Sequence, residues 1–293
     1  MSLESILLRI GASKSDRKRD RAIPLPTGVK QVCNLPYGPH HRANRMDIYY
    51  PEGAARCPMI VNVHGGGFVY GSKEIYKRYC MDLARRGFTV VNINYRLAPK
   101  WKFPTPMEDI HNVMRWISHH AKQYHGDNRY VFMVGDSAGG QMVSQYAAIL
   151  TNPRYMELFD LKPLPPGMQL RAVGLNCGVY DGKAMACEER KGINLDYLGK
   201  KLTADDPRVD VLGAITEEFP PAHITTACHD FLRPLAQPMY DFLTAKGIPC
   251  KLETYGSEED EAIGHVFHVN ILKPEAIRCN DDQCEFFRQF LPQ

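Results

Sequence analysis

Short β-branched apolar runs alternate along this chain with longer stretches of helical periodicity. Pro58 to Gly66, Phe88 to Tyr95, Tyr130 to Asp136, Ala172 to Tyr180, Ala222 to Asp230 and Cys250 to Gly256 read as strands. Residues 73–86, 106–124, 137–150 and 235–246 read as the helices between them. The stretch after Ser137 is the most legible, because Met142, Val143, Tyr146, Ala147 and Leu150 recur at helical spacing. Several strands are apolar nearly throughout, as expected when helices cover both faces of a parallel sheet. Cys284 to Leu291 reads as a last helix. Two regions break the alternation, residues 1–45 and residues 182–220. Long insertions between core elements are usually lids or binding loops, so both are expected to form a small helical cap over the C-terminal edge of the sheet. No repeat or linker divides the 293 residues, so one α/β domain spanning 1–293 is expected.

Composition narrows the class. At 44% hydrophobic residues the chain can bury a substantial core, and a formal charge of +3 gives no reason to expect nucleic acid or an anionic membrane as partner. The basic run Lys14 to Asp20 reads as a solvated tail, and Ser257 to Ala262 as a solvated acidic loop. Nine scattered cysteines, with no CxxC pair, read as reduced structural thiols, with no zinc site. The apolar run near Met1 is too short for a secretory segment, and none approaches the ~20 residues of a membrane span. A cytoplasmic protein without metal or organic cofactor is the resulting expectation.

Two glycine-rich turns carry the candidate chemistry. Gly135, Ser137 and Gly139 form a GxSxG pattern between an apolar strand and a helix, the setting in which a serine is held on a strained turn with its hydroxyl exposed. His64-Gly65-Gly66-Gly67-Phe68 follows another apolar strand, where consecutive glycines can aim backbone N–H groups at an anion. In acyl transfer such donors stabilise the tetrahedral oxyanion.

HGGGF at 64, NYRLAP at 94, FPTPMED at 103 and GDSAGG at 135 together resemble the hormone-sensitive-lipase-like family of α/β-hydrolase carboxylesterases, in the same order and at similar spacing. The resemblance runs from about Met46 to Phe267. It implies an α/β-hydrolase fold with a mostly parallel eight-stranded sheet, and hydrolysis of short-chain, by family weight acetyl, esters. Residue by residue it implies Ser137 as nucleophile and the N–H groups of Gly66, Gly67 and Ala138 as oxyanion hole. Lys100, Thr105 and Pro106 depart from the family pattern, away from the chemistry.

A serine nucleophile needs a base, and the base a carboxylate. The α/β-hydrolase chain order, serine then acid then histidine, leaves His223, His229, His265 and His268. His223 lies inside a strand and His229 directly precedes an acid candidate. His265 in Gly264-His265-Val266-Phe267 resembles the family's histidine feature, with His268 the alternative. Asp181 and Asp230 both follow strands, and CHDFLRP at 228 resembles the family segment that carries the acid, favouring Asp230. Asp136 and Asp109 are expected to organise loops. The expected substrate is a small-molecule ester, an acetylated sugar among the candidates. An amidase, arylformamidase or peptidase on the same fold remains open, as does a silent small-molecule-binding protein. Strand Cys250 to Gly256 is a candidate edge for a homodimer.

Overall fold

The computed structural model describes residues 1–292. Eight strands form one sheet in the order β1-β2-β4-β3-β5-β6-β7-β8: β1 (Val29–Pro36), β2 (Arg45–Pro51), β3 (Cys57–Val63), β4 (Thr89–Ile93), β5 (Gly126–Asp136), β6 (Leu170–Asn176), β7 (Ala222–Ala227) and β8 (Cys250–Tyr255). The first two strands run antiparallel to their neighbours, and the other six are mutually parallel. All six apolar runs in the sequence are therefore strands, and their side chains divide by the two-residue period of a strand. Met59, Val61 and Val63 of β3, with Val131 and Met133 of β5, pack beneath α3 (Thr105–His120) and α4 (Ala138–Thr151). Ile60, Phe132 and Val134 face α2 (Lys77–Arg85) and a late helix, Pro274–Arg288. Each such side chain is fully buried, worth roughly 1.5–3 kcal/mol apiece relative to exposure.

Two expectations need correction. Residues 1–45 are not cap throughout, because β1 lies within them as an edge strand of the sheet. Its outward positions are polar and its burial pattern has no fully buried residue, so no apolar run announced it. The last helix starts at Pro274, ten residues before Cys284. Ahead of the buried Phe286 and Phe287, its buried face is built from Ala276, Cys279, Asn280, Gln283 and Cys284, small or polar residues that hide a helical period. Their amide nitrogens find partners inside: Gln283 Nε2 donates to Asn176 Oδ1 at 2.8 Å and Asn280 Nδ2 to the His268 carbonyl at 3.1 Å.

The remainder of the N-terminal segment is α1 (Leu3–Ala22), which docks on a helix of the second irregular region. That region folds as α6 (Gly182–Met185), α7 (Gly192–Leu198) and α8 (Val211–Ala214), after α5 (Pro153–Glu157); α9 (Ala236–Ala245) and α10 (Pro274–Arg288) complete the helices. Asp196 of α7 fastens α1: its Oδ2 accepts from Ser2 N and from the buried Ser5 Oγ, both at 2.7 Å. Ser2 also caps α1 by accepting from Ser5 N at 3.2 Å.

Candidate active site

Ser137 stands between β5 and α4 with φ 52° and ψ −118°, a strained conformation for a residue bearing a side chain. The packing around it explains the flanking glycine, since a Cβ on Gly139 would collide with the Val63 carbonyl of the neighbouring strand. The Ser137 amide is pinned to the next strand by donating to the Asn176 carbonyl at 2.9 Å. Asn176 is held in turn by Thr225 Oγ1 at 2.9 Å.

His265 and Asp230 are brought together from loops following β8 and β7. His265 Nδ1 lies 2.7 Å from Asp230 Oδ1, which also accepts from the Leu232 amide at 2.9 Å, while Thr226 Oγ1 donates to Oδ2 at 3.0 Å. Burial pushes the Asp230 carboxyl up, but the His265 ring, the Leu232 amide and the Cys177 thiol outweigh it and hold its pKa below the usual value. A carboxylate so held fixes the Nδ1–H tautomer, leaving Nε2 free as a base. Ser137 Oγ has no hydrogen-bond partner among the described residues, an open resting geometry common before substrate arrives.

The glycine turn after β3 has two amides, those of Gly66 and Gly67, that find no backbone acceptor among the described residues. Gly66 has φ +111°, and a Cβ there would strike the Tyr70 carbonyl, so only glycine suits the position. The Ala138 amide is at the first turn of α4, where helical N–H groups lack internal partners. Leu8 of α1 and Ile193 of α7 close over Gly67, at 2.9 and 3.4 Å from where its Cβ would stand. The cap helices therefore touch the same turn that presents the free amides.

Tyr76, which nothing in the sequence singled out, links both turns. Its hydroxyl accepts from the Gly65 amide at 3.2 Å and donates to Asp136 Oδ2 at 2.7 Å. Burial pushes Asp136 up to about 6, against the pull of the Tyr76 hydroxyl, His265 and the Gly65 amide. Cys177, at the end of β6, was also missed: its buried thiol, an Asp230 oxygen and a His265 nitrogen lie within 4.8 Å of one another. A cysteine at a strand end carries no periodic signal, and only the adjacency of β6 and β7 reveals its place.

The other sequence candidates take structural roles. Asp181 caps α6 by accepting from the Ala184 amide at 2.9 Å. His268 is fully buried, and its surroundings drive its pKa down to about 3 by burial. His223 is buried in β7 with Nε2 2.8 Å from Glu253 Oε2, and His229 faces the Glu258 carbonyl at 3.1 Å. Asp109 accepts from Arg96 Nε at 2.9 Å and from the Arg96 amide at 2.8 Å, so it organises the loop after β4 as expected. In the acidic loop Glu258 pairs with Arg233 at 2.8 Å. A surface cavity of about 1050 Å³ is lined by Leu170, Pro221 and Pro249 at the N-terminal ends of β6, β7 and β8, the sheet edge opposite Ser137.

A family model described as alpha/beta hydrolase fold matches residues 60–269. The chain is 28% identical over 220 residues to esterase LipI of Mycobacterium tuberculosis, a match covering 70% of this chain and 66% of that protein. It is 28% identical over 213 residues to versiconal hemiacetal acetate esterase of Dothistroma septosporum, covering 68% and 64%. These matches thus span slightly under two thirds of each relative's own length. Among solved structures, esterase B from Lactobacillus rhamnosis superposes with a TM-score of 0.85 at 24% identity, over 96% of this chain and 92% of that one.

Proposed function

This chain belongs to the hormone-sensitive-lipase-like family of α/β hydrolases, and from that premise we propose that it is a serine carboxylesterase acting on short acyl esters. The observation that carries this reading is the 2.7 Å Asp230–His265 pair at the sheet edge where the strained Ser137 turn also emerges. In the proposed reaction Ser137 Oγ attacks the ester carbonyl while His265 Nε2 takes its proton. Asp230 stabilises the resulting imidazolium through Nδ1–H. The N–H groups of Gly66, Gly67 and Ala138 receive the oxyanion, where one donor is worth about 3 kcal/mol of transition-state stabilisation. Protonated His265 then releases the alcohol, and water activated by the same nitrogen clears the acyl group from Ser137.

The family resemblance supports a short, acetyl-sized acyl group. The relative from Dothistroma septosporum is itself named an acetate esterase. Nine free cysteines support a reducing, cytoplasmic setting, and no helix among the described residues is long and apolar enough to cross a membrane. The alcohol portion could be supplied by a small alcohol or a sugar, and β8 offers an unpaired edge for a homodimer, which light scattering would test.

The test is Ser137→Ala assayed on p-nitrophenyl esters from acetate to decanoate, beside matched amides and acetylated sugars. Turnover should peak at acetate and vanish in the variant. Undiminished turnover in Ser137→Ala would end the proposal, and a preference for amides would move the chain to the amidase branch. Failure of the wild type to react with an organophosphonate probe would leave it a binding protein.

A further inference from the structure

Helix α1 inverts the usual arrangement of a surface helix. Positions 3, 6, 7, 10, 14, 17, 18 and 21 share one face at the helical period, and this is the face turned to solvent. Its first half is apolar: Leu3 is 71% exposed, Ile6 42%, Leu7 60% and Ile10 64%. Its second half is cationic, with Lys14, Arg17, Lys18 and Arg21 all exposed and without an ion-pair partner among the described residues. The two acids of this helical half point elsewhere. Asp16 accepts from Tyr70 Oη at 2.8 Å and Arg19 Nη1 at 2.9 Å, and Asp20 pairs with Arg19 at 2.8 Å. Folding therefore sorts the charges of the basic run, leaving a face that is apolar and then purely positive.

The helix adjoins the candidate active site. On its inner side α1 sets Leu8 against Gly67 of the glycine turn. Beyond the serine, Phe231 is 72% exposed and its ring centroid lies 4.3 Å from that of His265. Exposed apolar groups thus stand on both the glycine-turn side and the histidine side of the catalytic residues.

We infer that α1 is an interfacial docking helix for an anionic lipid surface, and, resting on the esterase reading, that it brings Ser137 to amphiphilic esters held in that surface. An apolar segment followed by clustered cations is what a headgroup interface recognises: Leu3, Ile6, Leu7 and Ile10 enter the acyl boundary and the four cations meet anionic headgroups. Charge complementarity selects this occupant over a second copy of the chain. Apart from Glu4, whose carboxylate lies against Gly192 of α7, the exposed side of the helix carries no acid, so two copies would set cations against cations or against apolar side chains. The expectation of no membrane partner came from the net charge of +3, an average over the whole chain that conceals this segregation. Docking of this kind needs no membrane-crossing helix.

The test is co-sedimentation of the full-length chain with phosphatidylcholine vesicles, with and without phosphatidylserine, for wild type, Lys14→Glu/Arg17→Glu/Lys18→Glu and Leu7→Ser/Ile10→Ser. The wild type should bind only the phosphatidylserine vesicles, and less as salt rises. The charge variant should bind at least roughly a hundredfold more weakly, from about fivefold per cation removed, and the apolar variant should also lose binding. Both should keep wild-type turnover of a soluble ester, which shows that they are folded. Equal binding of wild type to both vesicle types, or of the charge variant and wild type to the anionic ones, overturns the inference. So does a wild-type dimer that the variants convert to monomer while no form binds vesicles, because the face is then homotypic. Ser137→Ala separates the two claims: it should still bind anionic vesicles, so loss of esterase activity leaves the docking result standing.

Discussion

Asp136 offers the sharpest quantitative check, because it is a buried carboxyl adjacent to Ser137, the proposed nucleophile. Its pKa of about 6 lies above the ordinary value of 3.8, and burial is the leading cause. For an acid raised on folding, the native state binds more protons than the unfolded chain between those two values, so this group adds stability as pH falls through 6 toward 4 and its penalty is complete above 6. With one pKa unit worth about 1.4 kcal/mol, lowering the pH from 8 to 5 should give wild type on the order of 1 kcal/mol from this group, and on the order of 2 by pH 4. Asp136→Asn keeps an acceptor for the Tyr76 hydroxyl, which now bonds at 2.7 Å, but cannot titrate. Urea unfolding of both proteins at pH 5 and pH 8 measures the difference of differences. In it, the protonation of His64 and His268, both driven low by burial, cancels because both proteins share it. The variant should gain on wild type by on the order of 1 kcal/mol at pH 8 relative to pH 5. Identical pH dependences in the two proteins would show that Asp136 is already ionised at pH 5 and would refute the burial argument.

Three further outcomes follow from the geometry. Asp230→Asn removes the acceptor that fixes the His265 Nδ1–H tautomer at 2.7 Å, so kcat on a short ester should fall about 10³–10⁴-fold with little change in KM; a loss below tenfold would assign the acid role elsewhere. Gly66→Ala forces a Cβ into the Tyr70 carbonyl at φ +111°, and should cost about 1–3 kcal/mol of stability together with most of the turnover, read by thermal melts and steady-state kinetics. Asp196→Ala strips the acceptor from the buried Ser5 hydroxyl and the Ser2 amide, which should loosen α1 from α7 by about 1–3 kcal/mol. Limited proteolysis should then cut α1 first while the sheet stays protected, and unchanged cleavage would show that other contacts hold the cap.

Patterning made the sheet legible because strands buried on both faces are drawn mostly from apolar residues, as in β3, where Asn62 alone is polar. It failed at β1, an edge strand with polar outward positions, and at the start of α10, whose buried face is made of small and polar residues. The Ser137 turn and the HGGGF turn were readable because close backbone approach tolerates only glycine, and that requirement is written locally.

The sequence by itself determined the local chemistry: a strained serine between glycines, a turn with free amides, and a set of histidines and acids from which chain order removed most. Tertiary structure decided what depends on distance through space. It joined Asp230 to His265 across 35 positions of chain, placed Cys177 and Tyr76 beside residues remote in sequence, and retired His268 to the core. It also sorted the residues of α1, turning Asp16 and Asp20 toward Arg19 and leaving leucines, isoleucines and cations outside. The physical reason is the same in each case: glycine requirements and apolar runs are properties of consecutive residues, whereas hydrogen-bond partners and exposed faces exist only once packing has fixed which sides of the elements meet.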